Sequence, residues 1–178
     1  MPNVLYVESE LNFSFPESLK WEELDEQGVP LPKGLALVDL VIERDEDILI
    51  VEIKDPSDTK AKEKQQKQYI KRLKEGSVIT EELTPKARDS YTFLHLMERD
   101  DKDIKYIVIL GLDAFDDTTQ KAVLGNFKDR LLGQIRQETV LPWKRQYIKD
   151  CAVMTIETWN KIFIDWQITR VPEEVGES

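Results

Sequence analysis

Residues 35–54 read LALVDLVIERDEDILIVEIK. Two short, branched and nearly continuous apolar runs, Leu35–Glu43 and Ile48–Lys54, predict a pair of buried strands. Arg44, Asp45, Glu46 and Asp47 between them form a polar connection of hairpin length. Side chains alternate along a strand, so Ile48, Ile50, Glu52 and Lys54 share one face while Leu49, Val51 and Ile53 take the other. On the first strand Leu35, Leu37, Asp39 and Val41 share a face, which puts an acid among apolar neighbours. A turn centred between Asp45 and Glu46 sets Asp39 directly opposite Glu52, where paired Cβ atoms lie roughly 4.5–5.5 Å apart. Two carboxylates at that distance repel, so a positive group belongs between them. Lys54 is one candidate. A hard divalent cation such as Mg2+, which takes carboxylate and carbonyl oxygens and keeps several waters, is the other. An Asp–Lys–Glu ion network without chemistry is the bland alternative, and the several kcal/mol needed to desolvate each ion weighs against it.

Outward from the hairpin, Asn3–Val7 reads as an extended edge segment, Pro16–Asp25 as a short helix opened by proline, and 28–34 as a loop. Downstream, a helix is predicted from about Thr59 to Lys74, stopped by Gly76, and a second from Thr84 to Arg99. Lys105–Leu112 is a central strand, Asp117–Gln137 a long amphipathic helix, Cys151–Ile156 another strand and Glu157–Trp166 a final helix. Strands first and alternating helix and strand afterwards describe an α/β sandwich with a mixed central sheet flanked by helices. The length, 178 residues, suits one domain spanning 1–171, with 172–178 as a flexible tail.

Composition removes several chemistries. The 25 basic and 35 acidic residues give a net charge of −10, against coating a polyanion by bulk charge. No G-x-G-x-x-G turn, phosphate-cradling Gly-Lys-Ser/Thr or G-x-S-x-G elbow occurs. His95, the single histidine, cannot build a triad or a zinc site and reads as a partly buried packing residue. Cys151, the single cysteine, opens an apolar run and reads as buried and structural. With neither a long apolar span nor a signal-like N-terminus, the expected location is the cytoplasm, away from membrane.

Asp39 on one strand, with Glu52-Ile53-Lys54 on the next, resembles the Asp…Glu-x-Lys signature of the PD-(D/E)XK nuclease superfamily, the restriction-endonuclease-like fold. This is the chain's only Glu-x-Lys, and it falls on an apolar strand. Gln65-x-x-x-Tyr69 on the following helix is similar to an element of the exonuclease-like branch. Val38 stands where the signature often has proline. The resemblance implies Mg2+-dependent phosphodiester hydrolysis, with Mn2+ able to substitute. Asp39, Glu52 and the carbonyl of Ile53 would hold the metal, and Lys54 would orient the attacking water or steady the transition state. It also implies an acid from a first helix, for which Glu17, Glu22 and Glu23 qualify equally, and a homodimer, since small members pair to cut both strands.

A polyanion would need a local surface. Residues 59–74 hold seven basic side chains and one acid, a charge of +6, which leaves −16 on the remainder. Lys60, Lys64, Lys67 and Lys71, with Gln65 and Tyr69, are the candidate nucleic-acid contacts. A second basic and aromatic stretch runs from Trp143 to Lys149. The leading expectation is a nuclease acting on DNA rather than RNA. The alternative is an inert nuclease-like domain that binds nucleic acid or docks a basic protein partner through its acidic body.

Overall fold

The computed structural model describes residues 3–26 and 30–171. The central hairpin forms as the sequence predicts: β4 (Leu40–Glu43) pairs antiparallel with β5 (Asp47–Lys54), and Leu40 faces Val51 while Glu43 faces Ile48. That register, continued by one residue, sets Asp39 opposite Glu52. The first strand is shorter than Leu35–Glu43. The backbone N–H groups of Ala36 and Val38 donate instead to Asp89 Oδ2 (3.0 Å) and Ser90 Oγ (2.9 Å), so helical side chains satisfy donors that a ladder would have used.

β5 then pairs in parallel with β6 (Asp103–Leu110), and β6 in parallel with β7 (Asp150–Thr155). Parallel neighbours require crossovers. The first comprises α1 (Glu63–Glu75), a π-helical turn (Ile79–Leu83) and α2 (Thr84–Leu96); the second comprises α3 (Asp117–Leu124) and α4 (Phe127–Arg136). With β3 (Lys20–Glu23) antiparallel to β4, the sheet order is β3-β4-β5-β6-β7. The protein is thus a single α/β domain built on a mixed five-stranded sheet. Ile50, Tyr106, Val108 and Leu110 pack under the helices against Leu73, Leu83, Leu94 and Leu131.

The opposite face carries a second layer. β1 (Asn3–Glu8), β2 (Leu11–Pro16) and β8 (Ile168–Arg170) form a three-stranded sheet whose Leu11, Phe13 and Phe15 meet Leu40, Leu49, Val51 and Ile109. Trp159, on α5 (Ile156–Ile162), fills the same core. Here the sequence reading is corrected. Pro16–Asp25 is not a helix: Pro16 closes a strand, and residues 20–23 form another. The inward alternation of Leu11, Phe13 and Phe15 had period two, and burial of those rings overrides the helical cue of the proline. Trp21 then packs against Tyr6 and Phe15, fixing β3 as an edge strand.

The remaining differences have local causes. The first helix starts at Glu63, after a turn in which Lys60 N donates to Asp58 Oδ1, and ends at Gly76, whose φ of 87° only glycine adopts freely. The long helix breaks at Asn126, which has φ 58°, into α3 and α4. The last helix stops at Ile162 rather than Trp166. Cys151 is buried as expected, but His95 is exposed, stacked on Tyr91 and 2.5 Å from Asp100. The flexible-tail expectation for 172–178 and part of the 28–34 loop lie outside the described residues. Among the described residues no helix is long and apolar enough to cross a membrane.

The two layers are tied at one corner. Arg170 on β8 makes a two-pronged bond to Asp55 (2.7 and 2.9 Å) just past β5, and reaches Asp113 (2.6 Å) beyond β6. Gly111 sits beneath this pair, and a Cβ there would lie 2.1 Å from Asp55 Oδ1. Because Arg170 pins that carboxylate, it cannot swing away cheaply. Gly111→Ala is expected to lose about 1–3 kcal/mol through overpacking, read as a lower urea midpoint at unchanged slope.

Candidate active site

The sheet presents Asp39, Glu52 and Lys54 on its helix-covered face, at the carboxyl end of β5. Open α/β sheets favour that end for ligands because the strands stop there and the crossover loops diverge. Glu52 is only 1% exposed, yet its charge is well matched. Lys54 Nζ lies 3.0 Å from Oε1, and Lys86 Nζ lies 2.9 Å from Oε1 and 3.0 Å from Oε2. Lys54 also contacts Glu82 at 3.0 Å, and Glu82 in turn meets Arg72 at 2.7 Å. The result is a chain of alternating charge from α2 through the sheet to α1.

Asp39 is placed differently. Its Oδ2 accepts a hydrogen bond from Ile53 N at 2.7 Å, and no ammonium lies within ion-pairing range among the described residues. Burial, then the charge of Glu52, pushes its carboxyl up to about 7; Lys86 and the Ile53 N–H oppose them without prevailing. The Lys54 pKa is raised too, and for a lysine that favours the charged form. Burial acts against its charge, but Glu52, Tyr69 and the hydrogen bonds to Glu82 and Glu52 raise its pKa and keep it an ammonium. Burial likewise opposes the Glu82 carboxylate, and its bonds to Lys54 and Arg72 more than compensate, holding its pKa below the usual value.

Two clefts flank the strand end. One, of about 400 Å³, has Ile53, Lys54, Glu82 and Tyr69 in its wall, with Gln65 and Gln66 from α1 and the Glu8–Ser9 turn beyond. The other, of about 610 Å³, exposes Asp39 among Glu8, Glu23, Asp25, Glu26 and Lys60. The structure therefore brings together Asp39, Glu52, Ile53, Lys54, Gln65 and Tyr69, with Lys60 on the Asp39 side. The other basic candidates separate from them. Lys64, Lys67 and Lys71 lie on the exposed face of α1, where Lys67 pairs with Glu63 and Lys71 with Glu75. Of the three acids considered for a helix-borne role, Glu17 is an exposed turn residue, Glu22 pairs with Arg99, and only Glu23 reaches the cleft that holds Asp39. The second basic stretch is remote: Lys149 N bonds Ile104 O at the opposite end of β6.

Three participants escaped the sequence reading. Lys86 and Glu82 have the four-residue spacing of a helical ion pair, which hides that each is bound instead to a strand residue, Glu52 and Lys54. Glu8 belongs to a strand turn and carries no pattern at all. No group of three or more Asp, Glu, His or Cys side chains arranged to hold a metal occurs among the described residues. No protein-family model matches the chain, and neither a curated protein nor a solved structure matches it.

The raised Asp39 pKa has a thermodynamic consequence. A folded-state value of about 7 against about 3.8 unfolded means that the native state holds its proton more tightly. Stability from this group is therefore greatest at low pH and falls as pH rises from about 4 through 7, by up to about 4 kcal/mol. Asp39→Asn, which retains an acceptor for Ile53 N, should remove that decline. In metal-free buffer the variant should be more stable than wild type at pH 8, and the difference should shrink toward pH 4, as read by urea unfolding across that range.

Proposed function

We propose that the protein is a metal-dependent nuclease of the PD-(D/E)XK type, on a restriction-endonuclease-like fold, that hydrolyses phosphodiester bonds in DNA. The observation that carries this reading is the convergence of Asp39, Glu52 and Lys54 on one sheet face at the strand end, between a cleft walled by Lys54, Gln65 and Tyr69 and a second cleft that holds Asp39. An antiparallel β3-β4-β5 meander followed by a helix and a parallel strand supports it further, since Asp39 immediately precedes β4 while Glu52 and Lys54 lie on the adjacent strand β5.

The donor chemistry fits Mg2+. Asp39 and Glu52, with the Ile53 carbonyl, offer hard oxygens in the number that this ion accepts while keeping waters and substrate phosphate in its remaining positions. The upward shift of Asp39 comes first from burial and then from the charge of Glu52, and a bound cation would offset both. When bound, the ion would lower the pKa of a water and neutralise charge on the phosphate. The protein's own residues do the rest. Lys54, held as an ammonium, orients the attacking water and stabilises charge growing on the phosphate oxygens. Glu82 fixes the Lys54 side chain, Lys86 pairs with the Glu52 carboxyl in a site almost sealed from solvent, and Ile53 N–H holds the Asp39 carboxyl in place.

A second reading rests on one specific feature. Glu52 already has two ammonium partners and only one other acid faces it across the hairpin, an arrangement equally suited to an inert nuclease-like module that binds nucleic acid or a basic partner. The two readings separate on plasmid and single-stranded DNA in Mg2+ or Mn2+. Wild type should cut, and Asp39→Ala and Lys54→Ala should each lose on the order of 10²-fold or more. Cleavage that survives in both variants overturns the site, and no cleavage by any form favours the module.

A further inference from the structure

The cleft beside Lys54 has a shape that the hydrolytic reading does not use. Its volume, about 400 Å³, lies near the lower end of the ~300–1,000 Å³ of small-ligand sites. That is room for one planar base and far too little for a duplex. Ile53, Pro56 and Ala61 give it apolar surface, and Gln66 and Tyr69 add an amide and a phenol. The Gln66 amide is anchored by a hydrogen bond to Asp58 O at 3.0 Å, while the Tyr69 hydroxyl is buried with no hydrogen-bond partner among the described residues. A polar atom in that condition is costly unless something supplies its bond. The charge of the wall selects the same way: Glu8, Asp55 and Glu82 line the cleft and disfavour the dense phosphates of a duplex, while Lys54 stands where a single phosphate would lie.

Resting on the nuclease reading, we propose that this cleft takes one unpaired nucleobase adjacent to the phosphate at Lys54, so that the substrate is single-stranded or a frayed end. The apolar wall covers the faces of the base and the polar groups meet its edge. Such contacts are tolerant of sequence, because every base has a flat face. A continuous duplex cannot engage without first releasing a base from its stack, which makes intact ends and internal paired sites poor ligands.

The test is equilibrium binding in EDTA, where no turnover intervenes. The probes are fluorescein-labelled 12-mer single strands, as DNA and as RNA, against a duplex of the same sequence closed by hairpin loops. Either single strand should bind at least about tenfold more tightly than the closed duplex. Ala61→Phe, which fills the cleft and leaves Asp39, Glu52 and Lys54 in place, should cancel that preference, and Gln66→Ala should weaken it, each with a melting temperature within a few degrees of wild type. Equal affinity for single strand and closed duplex, or a preference unchanged in both folded variants, overturns the proposal. Failure of the nuclease reading looks different: base-dependent binding through the cleft with no cleavage in Mg2+ or Mn2+ retains the pocket and discards the chemistry.

Discussion

The structure depends on an acid held between two lysines where almost no water reaches it. Glu52 is nearly sealed within the sheet's helical face, and a lone anion there would be costly enough to unfold a domain of ordinary stability. Lys54 from the same strand and Lys86 from the first turn of α2 make it tolerable, and both must be in place together. Secondary elements far apart in sequence are thereby fixed by one group. α2 cannot slide along the sheet without uncovering Lys86, and the π-helical turn cannot move without releasing Glu82 from Lys54. Truncating one partner of such an arrangement is far more damaging than its net worth implies, because the other charges stay buried.

Asp39 shows the complementary design. It lies across the hairpin from Glu52, receives one backbone hydrogen bond, has no ammonium within ion-pairing range among the described residues, and is left with an elevated proton affinity. A protein selected for stability alone would place an amide or an apolar group there. Strain of this electrostatic kind is often concentrated where charge is later to be delivered by something that binds. The asymmetry between a fully compensated Glu52 and an uncompensated Asp39 thus divides two roles between residues that look alike in the sequence.

Much of this was legible in one hairpin. The alternation in Ile48–Lys54 assigned faces correctly, and the length of the Arg44–Asp47 connection fixed the register that sets Asp39 opposite Glu52. Both are local properties with a period of two, which a sequence displays directly. What escaped was settled by long-range packing. Leu11, Phe13 and Phe15 belong to a strand because a second sheet, completed by residues more than 150 positions away, offers their rings a partner. Lys86 looked like one charge of a helix among many, and only the tertiary approach of α2 reveals its partner. The lysines of α1 failed in the opposite direction: their number was clear, but the helix turns most of them toward solvent, and the cleft receives glutamines and a tyrosine instead.

The pairing of β2 with both β1 and β8 bears on the order in which the molecule matures. Glu8 and Ser9, which line the cleft, sit on a hairpin whose next residue, Glu10, is bonded through its carbonyl to Val171 N and through its carboxylate to Arg170. A ribosome would therefore release β3 to β6 and their crossover helices before the segment that locks this wall, with the last strand of the central sheet, β7, preceding β8 by only 12 residues. During synthesis the charged strand end would stand beside an unfinished enclosure, so acquisition of a shaped cleft is a late event in the life of each nascent molecule.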